Sequence, residues 1–361
     1  MALVVALSFE LMKNGHQVDV ICIDRPSGSA HEAAWVDWLA QWGIGISFLG
    51  RKPGDAGIAA AAKLWCLVQH RQYDVLHSHL PMPDAISGLV RRLSPHRFAH
   101  VVTMHNTHEP RISILKILAS GANVAYCSEA VRQRNSLSGI SSTVIPNGIA
   151  LNLSAWPTKS RAAMRQEIGM DGSAKVVIAV GRLCPQKNFV ESVKAMGFLK
   201  SHNTIPNVKL LVCGDGEDKI WLENSVRELG LTEVVRFMGN RTDVFNLLAA
   251  SDVFLSTSNH EGMPLSVLEA LSAGLPCVLS AIQEHYELAE SMPGCTFVPH
   301  APEAIASALE VALDQPTASD VLRRERAPLL QKHSIHRCAG LYEDLYHACC
   351  HPDLVLHPSS R

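Results

Sequence analysis

The chain has 361 residues, of which 47% are hydrophobic, so it is long and apolar enough for two domains with packed cores. Its 32 lysines and arginines nearly balance 34 acidic residues, which argues against a protein that binds nucleic acid through a general excess of positive charge. Ten cysteines without a C-x-x-C pair indicate reduced thiols in a cytoplasmic protein rather than a disulfide or zinc framework.

Helices and apolar strands are predicted to alternate through the first half of the chain. The helices are expected at 2–13, 31–42, 56–70 and around 112–119, and the strands at 18–23, 44–49, 75–77, 100–104 and 123–127. The strands carry continuous runs of Val, Ile and Leu, which is typical of parallel strands that helices cover on both faces. The first half therefore predicts a doubly wound α/β domain.

The second half repeats this pattern. Strands are expected at 176–180, 209–213, 234–237, 253–256 and 277–279, and a last helix at 335–350. The two halves meet near residues 148–157, so we expect domains at 1–150 and 151–330, each built on its own parallel sheet. The tail at 352–361 is expected to be loose.

The segment from Glu261 to Pro276, EGMPLSVLEALSAGLP, predicts a helix whose start binds an anion. Pro264 suits the first helical position, where a missing N–H costs nothing, and Gly274 supplies the stop. The unpaired N–H groups of the first turn and the positive end of the helix dipole favour a phosphate. Glu261 before the helix and Glu269 inside it would be costly beside that site unless the hydroxyl groups of a sugar or ribose satisfy them.

The spacing of the two acids resembles the acidic signature of the retaining glycosyltransferases of family 4. Further segments match that family's pattern in order along nearly the whole chain: DVLHSH (74–79), VVTMHN (101–106), CSEAVR (127–132), VIPNGI (144–149), GRLCPQKN (181–188) and CGDGED (213–218). The resemblance implies the GT-B architecture, in which two Rossmann-like domains face a cleft. Residues 1–150 would then lie on the acceptor side, residues 151–330 would bind the nucleotide sugar, and the helix at 331–351 would cross back to the first domain.

The resemblance also assigns the donor site. Arg182 and Lys187 would stabilise the negative charge that develops on the diphosphate leaving group, because fixed positive charge there lowers the barrier. Glu261 is expected near the hydroxyls of the donor sugar and Glu269 near those of the ribose. The expected donor-binding set also includes Gly262, Met263, Pro264, Leu265, Ser266, Gly216 and Arg241.

His105 follows the strand at 100–104, at the carboxyl end where ligands gather in parallel sheets. The resemblance places it against the donor sugar, and both a hydrogen-bonding and a proton-transfer role are open. His77, His79 and His108 form a possible cluster with it, but the absence of an acid or cysteine at ligand spacing argues against a metal site. We therefore expect no metal and no cofactor, and we interpret the acids of 215–218 as part of a turn.

The function expected from this resemblance is transfer of a hexose or hexosamine, with retention of anomeric configuration, from a nucleoside-diphosphate sugar to a glycan or lipid-linked acceptor. Polysaccharide or lipopolysaccharide synthesis is the setting that such an acceptor implies. One alternative is a sugar-nucleotide epimerase of the same fold. Another is a catalytically inactive module that binds sugar nucleotides.

The start of the sequence is the reason to consider a catalytically inactive binding module. The first domain of this family opens with a strand and a glycine-rich loop before the helix that here begins near residue 2. That strand would lie centrally in the sheet, and without it two neighbouring strands would lose a partner. A misassigned or truncated start is the favoured interpretation, and a degenerate gene product is the other.

Membrane contact is the last expectation. No apolar run is long enough for a spanning helix, and the start lacks the basic segment and cleavage pattern of a signal peptide. Arg91, Arg92, His96 and Arg97, with the cations at 111 and 116, lie among apolar residues and are candidates for contact with an anionic lipid surface. The protein is then expected to bind the inner face of the plasma membrane. The alternative is that these cations are ordinary solvated residues at helix ends.

Overall fold

The computed structural model describes residues 2–52, 54–106, 121–135, 142–149, 159–202, 205–314 and 319–351. The helix predicted around 112–119, the tail at 352–361 and His108 lie outside these residues. The chain divides into two compact units, one formed by Met1–Gly148 with His333–Arg361 and the other by Ile149–Lys332.

The first unit alternates helices and strands from its first described residue. Its elements in chain order are α1 (Ala2–Lys13), β1 (Asp19–Asp24), α2 (Ala30–Gln41), β2 (Gly45–Arg51), α3 (Ile58–Arg71), β3 (Val75–Ser78), α4 (Pro81–Leu93), β4 (Ala99–Met104), β5 (Asn123–Tyr126), α5 (Glu129–Asn135) and β6 (Ser142–Val144). The strands predicted here are all observed, with ends that differ by one or two residues. β6 was not predicted.

The second unit continues the alternation. Its elements are α6 (Arg161–Glu167), β7 (Lys175–Val180), α7 (Phe189–His202), β8 (Val208–Cys213), α8 (Lys219–Glu228), β9 (Val235–Gly239), α9 (Val244–Ala250), β10 (Val253–Ser256), α10 (Leu265–Ser272), β11 (Cys277–Ser280), α11 (Gln283–Ala289), β12 (Cys295–Val298), α12 (Pro302–Asp314) and α13 (Ser319–Leu330). A 3-10 turn at Gln331–His333 leads to the last helix, α14 (Ile335–Cys350).

One parallel sheet of six strands forms the centre of the second unit, in the order β12-β11-β10-β7-β8-β9. β7 lies at its middle, and Val176, Val177 and Ile178 have no exposed surface. Val176 and Ile178 belong to the apolar core on one face, and Val177 belongs to the core on the other. Both faces are therefore covered, as the continuous apolar runs predicted.

The described strands of the first unit form two separate parallel sheets. β3, β4, β5 and β6 form a four-stranded parallel sheet, whereas β1 and β2 form a separate parallel pair. Within the described residues, β1 pairs only with β2 at one side of the unit and β3 pairs only with β4 at the other.

The last helix, α14, packs within the first unit. Tyr342 of α14 is fully buried, and its hydroxyl lies 2.8 Å from the Thr103 hydroxyl of β4. The α14 residue Tyr346 places its hydroxyl 2.8 Å from Nδ1 of His77, on β3. A side chain at Gly148 would bring its Cβ within 2.6 Å of the Ile335 Cα, so glycine is required where the chain passes the start of this helix.

Candidate functional site

The predicted donor-binding residues of the second unit lie on loops at the carboxyl edge of its sheet or on α10, the helix that follows one of these loops. The chain moves outward from β7 through β8 to β9, and then from β10 through β11 to β12, so the topology reverses between β7 and β10. The loop at 181–188 follows β7, and the loop at 257–264 follows β10. Ligands of doubly wound sheets bind at such a reversal, which agrees with the position of these two loops.

Two glycines let the loop after β8 pack on the backbone of the loop after β7. A Cβ on Gly214, which has a φ of 140°, would lie 1.9 Å from the Gly181 carbonyl oxygen, and one on Gly216 would lie 2.2 Å from that of Leu183. The Leu183 N–H also donates to the Asp215 carbonyl over 3.0 Å. Gly216 therefore has a structural reason within the protein, besides the predicted approach to a sugar phosphate. The acids of 215–218 lie in this loop before α8, as interpreted from the sequence.

The most consequential contact joins the loops at 181–188 and 257–264. Nζ of Lys187 lies 2.6 Å from Oε1 of Glu261, whose residue surface is only 4% exposed. The Ser258 hydroxyl donates to the same carboxylate oxygen over 2.6 Å, and Nε2 of Gln186 lies 3.4 Å from Oε2. A buried carboxylate is costly unless it is paired and hydrogen-bonded, and here the lysine, the hydroxyl and the amide supply those partners.

Ser258 is itself fixed through its backbone. Its carbonyl accepts from the Ser280 hydroxyl over 2.6 Å and from Nε2 of His300 over 3.0 Å. His285 lies against the same group of side chains, with Nδ1 donating to the Ser280 carbonyl over 2.8 Å, and burial lowers the pKa of His285 to about 4. The sequence prediction missed Gln186, Ser258 and the hydrogen bonds that hold the Ser258 backbone. Gln186 lies within the motif GRLCPQKN, whereas nothing in the sequence marked Ser258 except its position three residues before Glu261.

Arg182 occupies a different environment from Lys187. Its side chain is 71% exposed and pairs with Glu217 over 2.9 Å. An ion pair this exposed contributes little to stability, so the guanidinium can exchange its partner at low cost. Its predicted role toward a diphosphate stays a prediction.

The helix that follows this loop is α10, and it begins one residue later than predicted. Pro264 is the cap residue, in an extended conformation, rather than the first helical residue. The first bond back to its carbonyl comes from the Val267 N–H over 3.1 Å, so the N–H groups of Leu265 and Ser266 precede the hydrogen-bonded part of the helix. The predicted stop is confirmed, because Gly274 has a φ of 76° just after the helix.

Glu269 lies half-buried on α10. Burial raises the pKa of Glu269 to about 7. Within the described residues no hydrogen bond or ion pair to its carboxylate is found. A carboxyl group in this state is half-protonated near neutrality, and a ligand that supplies hydroxyl donors would favour its ionised form.

Two other predicted residues have partners of their own. Arg241 makes two hydrogen bonds of 2.7 Å to Asp243, and these raise the pKa of its guanidinium. His105 belongs to the first unit, where its Nε2 lies 3.1 Å from Nδ1 of His79. Burial lowers the pKa of His105 to about 4, so its imidazole is neutral at pH 7. The contacts of Arg241 with a base and of His105 with a donor sugar stay predictions.

The described ranges contain no group of three or more His, Cys, Asp or Glu residues placed to hold a metal ion. Among the helices that the structure describes, none is long and apolar enough to cross a bilayer. The expectation that the reaction needs no metal and no cofactor stays a prediction from the sequence.

Two family profiles match the chain. The family described as Glycosyl transferases group 1 matches residues 160–327, and Glycosyltransferase Family 4 matches residues 2–153. The UDP-Gal:alpha-D-GlcNAc-diphosphoundecaprenol alpha-1,3-galactosyltransferase of Escherichia coli is 31% identical over 61% of this chain and 60% of its own length. The N-acetyl-alpha-D-glucosaminyl L-malate synthase of Bacillus anthracis is 23% identical over 80% of this chain and 78% of its own.

Solved structures share the fold. HepE of Anabaena, in complex with UDP and glucose, superposes with a TM-score of 0.80 at 18% identity, over 96% of this chain and 95% of its own. WaaG, a glycosyltransferase involved in lipopolysaccharide biosynthesis, superposes with a TM-score of 0.67 at 17% identity, over 97% and 94%. The predicted GT-B class of fold is thereby confirmed.

The Ser258 hydroxyl is expected to stabilise the buried Glu261 carboxylate. We expect Ser258→Ala to lower the free energy of unfolding by about 1.5–3 kcal/mol, the usual cost of losing a hydrogen bond to a charged buried group. Urea unfolding would measure this, with Ser258→Thr retaining the hydroxyl. The matched control is Ser225→Ala, which removes a half-buried hydroxyl of α8 that donates to the uncharged Trp221 carbonyl over 3.0 Å. Equal stability of Ser258→Ala and Ser225→Ala would show that the hydroxyl does not support the carboxylate.

Proposed function

Since the chain belongs to the family 4 glycosyltransferases, we propose that it transfers a hexose or hexosamine from a UDP-sugar to a glycan or lipid-linked acceptor, with retention at the anomeric carbon. The choice of UDP is supported by the E. coli galactosyltransferase, which uses UDP-Gal, and by the UDP bound to HepE. The acceptor class is supported by the diphosphoundecaprenol substrate that the name of the E. coli enzyme gives.

The observation that carries this proposal is the buried pair of Lys187 and Glu261 next to the start of α10. Cleavage of the bond between the anomeric carbon and the diphosphate oxygen leaves negative charge on the diphosphate. The lysine ammonium and the N–H groups of Leu265 and Ser266 are fixed before the reaction, so they can stabilise that charge without reorganisation.

Glu261 has a binding role in this proposal rather than a nucleophilic one. Its Oε1 already accepts from Lys187 and Ser258, which makes it a poor nucleophile. Among the described residues its Oε2 has the long Gln186 contact, so it can also accept from a sugar hydroxyl. Retention then follows if the acceptor oxygen attacks the face that the leaving group vacates. The acceptor proton passes to the departing phosphate oxygen as the new glycosidic bond forms.

Arg182 is proposed to exchange Glu217 for the diphosphate when the donor binds. Its exposed ion pair costs little to break, and a guanidinium can make two parallel hydrogen bonds to a phosphate. In this proposal the less exposed Lys187 contributes a fixed positive charge, and the more exposed Arg182 makes hydrogen bonds to the diphosphate.

The test of the function is turnover with a panel of UDP-sugars and an undecaprenyl-diphosphate-linked sugar as acceptor. Lys187→Ala is expected to lower turnover by about 10²-fold or more, since it removes a preorganised charge from the leaving group. Lys194→Ala is the matched control, because this exposed lysine on α7 pairs only with Glu191 among the described residues. Near-normal turnover in Lys187→Ala would remove the assignment, and a product of inverted configuration would exclude retention.

Donor affinity is expected to depend on the protonation of Glu269. Its pKa of about 7 means that the carboxyl is mostly protonated at pH 6 and mostly ionised at pH 8. If the ionised form accepts from the ribose hydroxyls, UDP-glucose should bind about tenfold more tightly at pH 8 than at pH 6. Glu269→Gln should bind more weakly at pH 8 and lose most of the pH dependence.

Calorimetric titrations at the two pH values would measure both effects. The exposed Glu290→Gln is the control, and it should keep the wild-type dependence. A wild-type affinity that is flat between pH 6 and pH 8, or a dependence that persists in Glu269→Gln, would contradict this role for Glu269.

A lipid-linked acceptor requires contact with a membrane, for which α4 is the proposed surface. Leu89, Arg92 and Leu93 share one exposed face of this helix, with Leu89 and Leu93 47% and 65% exposed. Arg97 follows as an exposed cation, whereas Arg91 donates to the Gly121 carbonyl over 2.8 Å. Apolar and basic side chains on one face favour an anionic lipid surface.

Vesicle cosedimentation tests this surface. The wild-type protein should bind phosphatidylcholine vesicles that contain phosphatidylglycerol, and the double variant Arg92→Glu, Leu93→Ser should lose this binding. Neither the wild type nor the double variant should bind vesicles of phosphatidylcholine alone. Val311→Ser, which changes an equally exposed apolar residue on α12, is the control. Unchanged binding by the double variant would rule out α4 as the contact.

A further inference from the structure

We propose that Cys277 on β11 and Cys295 on β12 form an oxidisable thiol pair, which a hydroperoxide converts to a disulfide between the two strands. This inference concerns the second unit alone and does not depend on the proposed donor or acceptor. It rests on the register of the two strands, on a buried arginine beside the pair and on the different exposure of the two cysteines.

The pairing of β11 with β12 places the two cysteines opposite each other. The strands are parallel, and Cys277 is the Cα partner of Cys295. Neighbouring strands lie about 4.8 Å apart, within the range of about 4.4–6.8 Å that is usual between the Cα atoms of a disulfide. Both residues pack against the same apolar core, so they lie on the same face of the sheet. A disulfide can therefore form without a change in strand pairing.

A buried guanidinium lies beside the pair. Arg326, on α13, has no exposed surface. Its Nη1 donates to the Leu275 carbonyl over 2.8 Å, and the Cys277 sulfur lies 3.3 Å from the same oxygen. A Cβ placed on Gly294, the residue before Cys295, would lie 3.0 Å from Nη2 of this arginine. The guanidinium therefore adjoins the backbone that leads into both cysteines.

The hydrogen bonds of this guanidinium go to uncharged groups. Besides the Leu275 carbonyl, Arg326 donates to the carbonyls of Leu271 and Pro293, and within the described ranges no carboxylate pairs with it. A buried positive charge without a carboxylate favours a nearby anion, and a thiolate is the anion that this pair can supply. The arginine is thus a physical reason for one of the two thiols to ionise.

The two thiols have different environments, and these assign their roles. A hydrogen bond from the Cys277 thiol and the positive charge of Arg326 lower the pKa of Cys295, whereas burial raises the pKa of Cys277. Cys295 is half-buried on β12, which lies at the edge of the sheet, while Cys277 is only 1% exposed. Cys295 is therefore the thiolate that meets the oxidant, and Cys277 is the thiol that completes the disulfide.

The reaction consumes one hydroperoxide, and with hydrogen peroxide it releases two molecules of water. The Cys295 thiolate attacks one peroxide oxygen, the O–O bond breaks, and the departing oxygen takes up a proton, which leaves a sulfenic acid on Cys295. The Cys277 sulfur then attacks the sulfenic sulfur, the S–O bond breaks, and the hydroxyl group leaves with the Cys277 proton as water. Two thiols are oxidised and the peroxide is reduced. A dithiol reductant reverses the change by thiol–disulfide exchange.

The experiment exposes the fully reduced chain to hydrogen peroxide and blocks the remaining thiols with iodoacetamide at timed intervals. Digestion without reductant uses a protease that cleaves after glutamate, because Glu284, Glu287 and Glu290 separate the two cysteines and no lysine or arginine does. Mass spectrometry should find two peptides joined through Cys277 and Cys295, with the loss of two hydrogen atoms. Treatment with dithiothreitol should restore both thiols.

Two other cysteines of the same protein serve as internal controls. Cys66 is exposed, and Cys213 is buried opposite Val180 and Gly239 in the sheet, so neither strand neighbour of Cys213 offers a thiol. The joined peptides should form about tenfold faster than Cys66 is oxidised, because Cys295 ionises more readily and has a resolving thiol beside it. Cys213 should stay reduced during the same interval.

Two variants separate the roles of the pair. In Cys277→Ser the serine hydroxyl can replace the hydrogen bond to Cys295 but cannot form a disulfide, so dimedone should trap a sulfenic acid on Cys295. In Cys295→Ser, Cys277 should stay reduced under the same conditions. Circular dichroism would confirm that both variants are folded, and the wild-type result tests the pair without them.

Three results would overturn the proposal. The first is that no peptides joined through Cys277 and Cys295 form before Cys66 is oxidised. The second is that they form equally fast in protein unfolded with urea, which would show that the folded site has no part in the reaction. The third is that dimedone labels Cys277 in Cys295→Ser and leaves Cys295 unlabelled in Cys277→Ser.

Discussion

The buried carboxylate of Glu261 is the constraint on which the second unit's site depends. A charge with only 4% of its residue surface exposed must be neutralised inside the protein, and Lys187 does this from a loop that follows a different strand. The pair holds together the loops after β7 and β10, where the topology of the sheet reverses. Asn259 adds a backbone contact between the same two loops, because its N–H donates to the Gln186 carbonyl over 2.8 Å.

This arrangement explains why the two cations differ in exposure. Lys187 is held inside because its charge is needed to make the Glu261 carboxylate tolerable there. Arg182 has only the exposed Glu217 as its ion-pair partner in the described ranges, and it is therefore free to exchange it. A site that binds a doubly charged ligand reversibly benefits from both kinds of group, because one keeps its geometry without ligand and the other adapts to it.

The sequence predicted the central strands well because they are apolar on both faces. Strands such as β7 and β10 have no solvated side, so their Val, Ile and Leu runs identified them without any knowledge of neighbours. β6 and β12 were missed because they lie at sheet edges and include an exposed Ser or Thr residue. Short polar edge strands depend on the neighbouring strand for their conformation, and that neighbour is not apparent locally.

Sequence motifs nominate the residues of the candidate site, whose binding roles stay predictions, but they do not reveal the contacts between those residues. Glu261, Glu269, Arg182 and Lys187 were chosen from motif spacing, whereas the 2.6 Å bond between Lys187 and Glu261 joins positions 74 residues apart. No local pattern reveals such a pair, because it depends on which strands become neighbours in the sheet. The protonation of Glu269 near neutrality is likewise a consequence of burial by the folded unit.

Both units alternate parallel strands and helices, but the pairing of their strands differs. In the second unit β7 is bonded on both sides, so the loops that follow it and its neighbour β10 are held in register at the site. In the first unit the strand β3 has such support on one side only among the described residues, although it carries His77 and leads to His79. The central strand of a doubly wound sheet joins its two halves. The precision of any chemistry at the carboxyl end of β3 therefore depends on what pairs with its other edge.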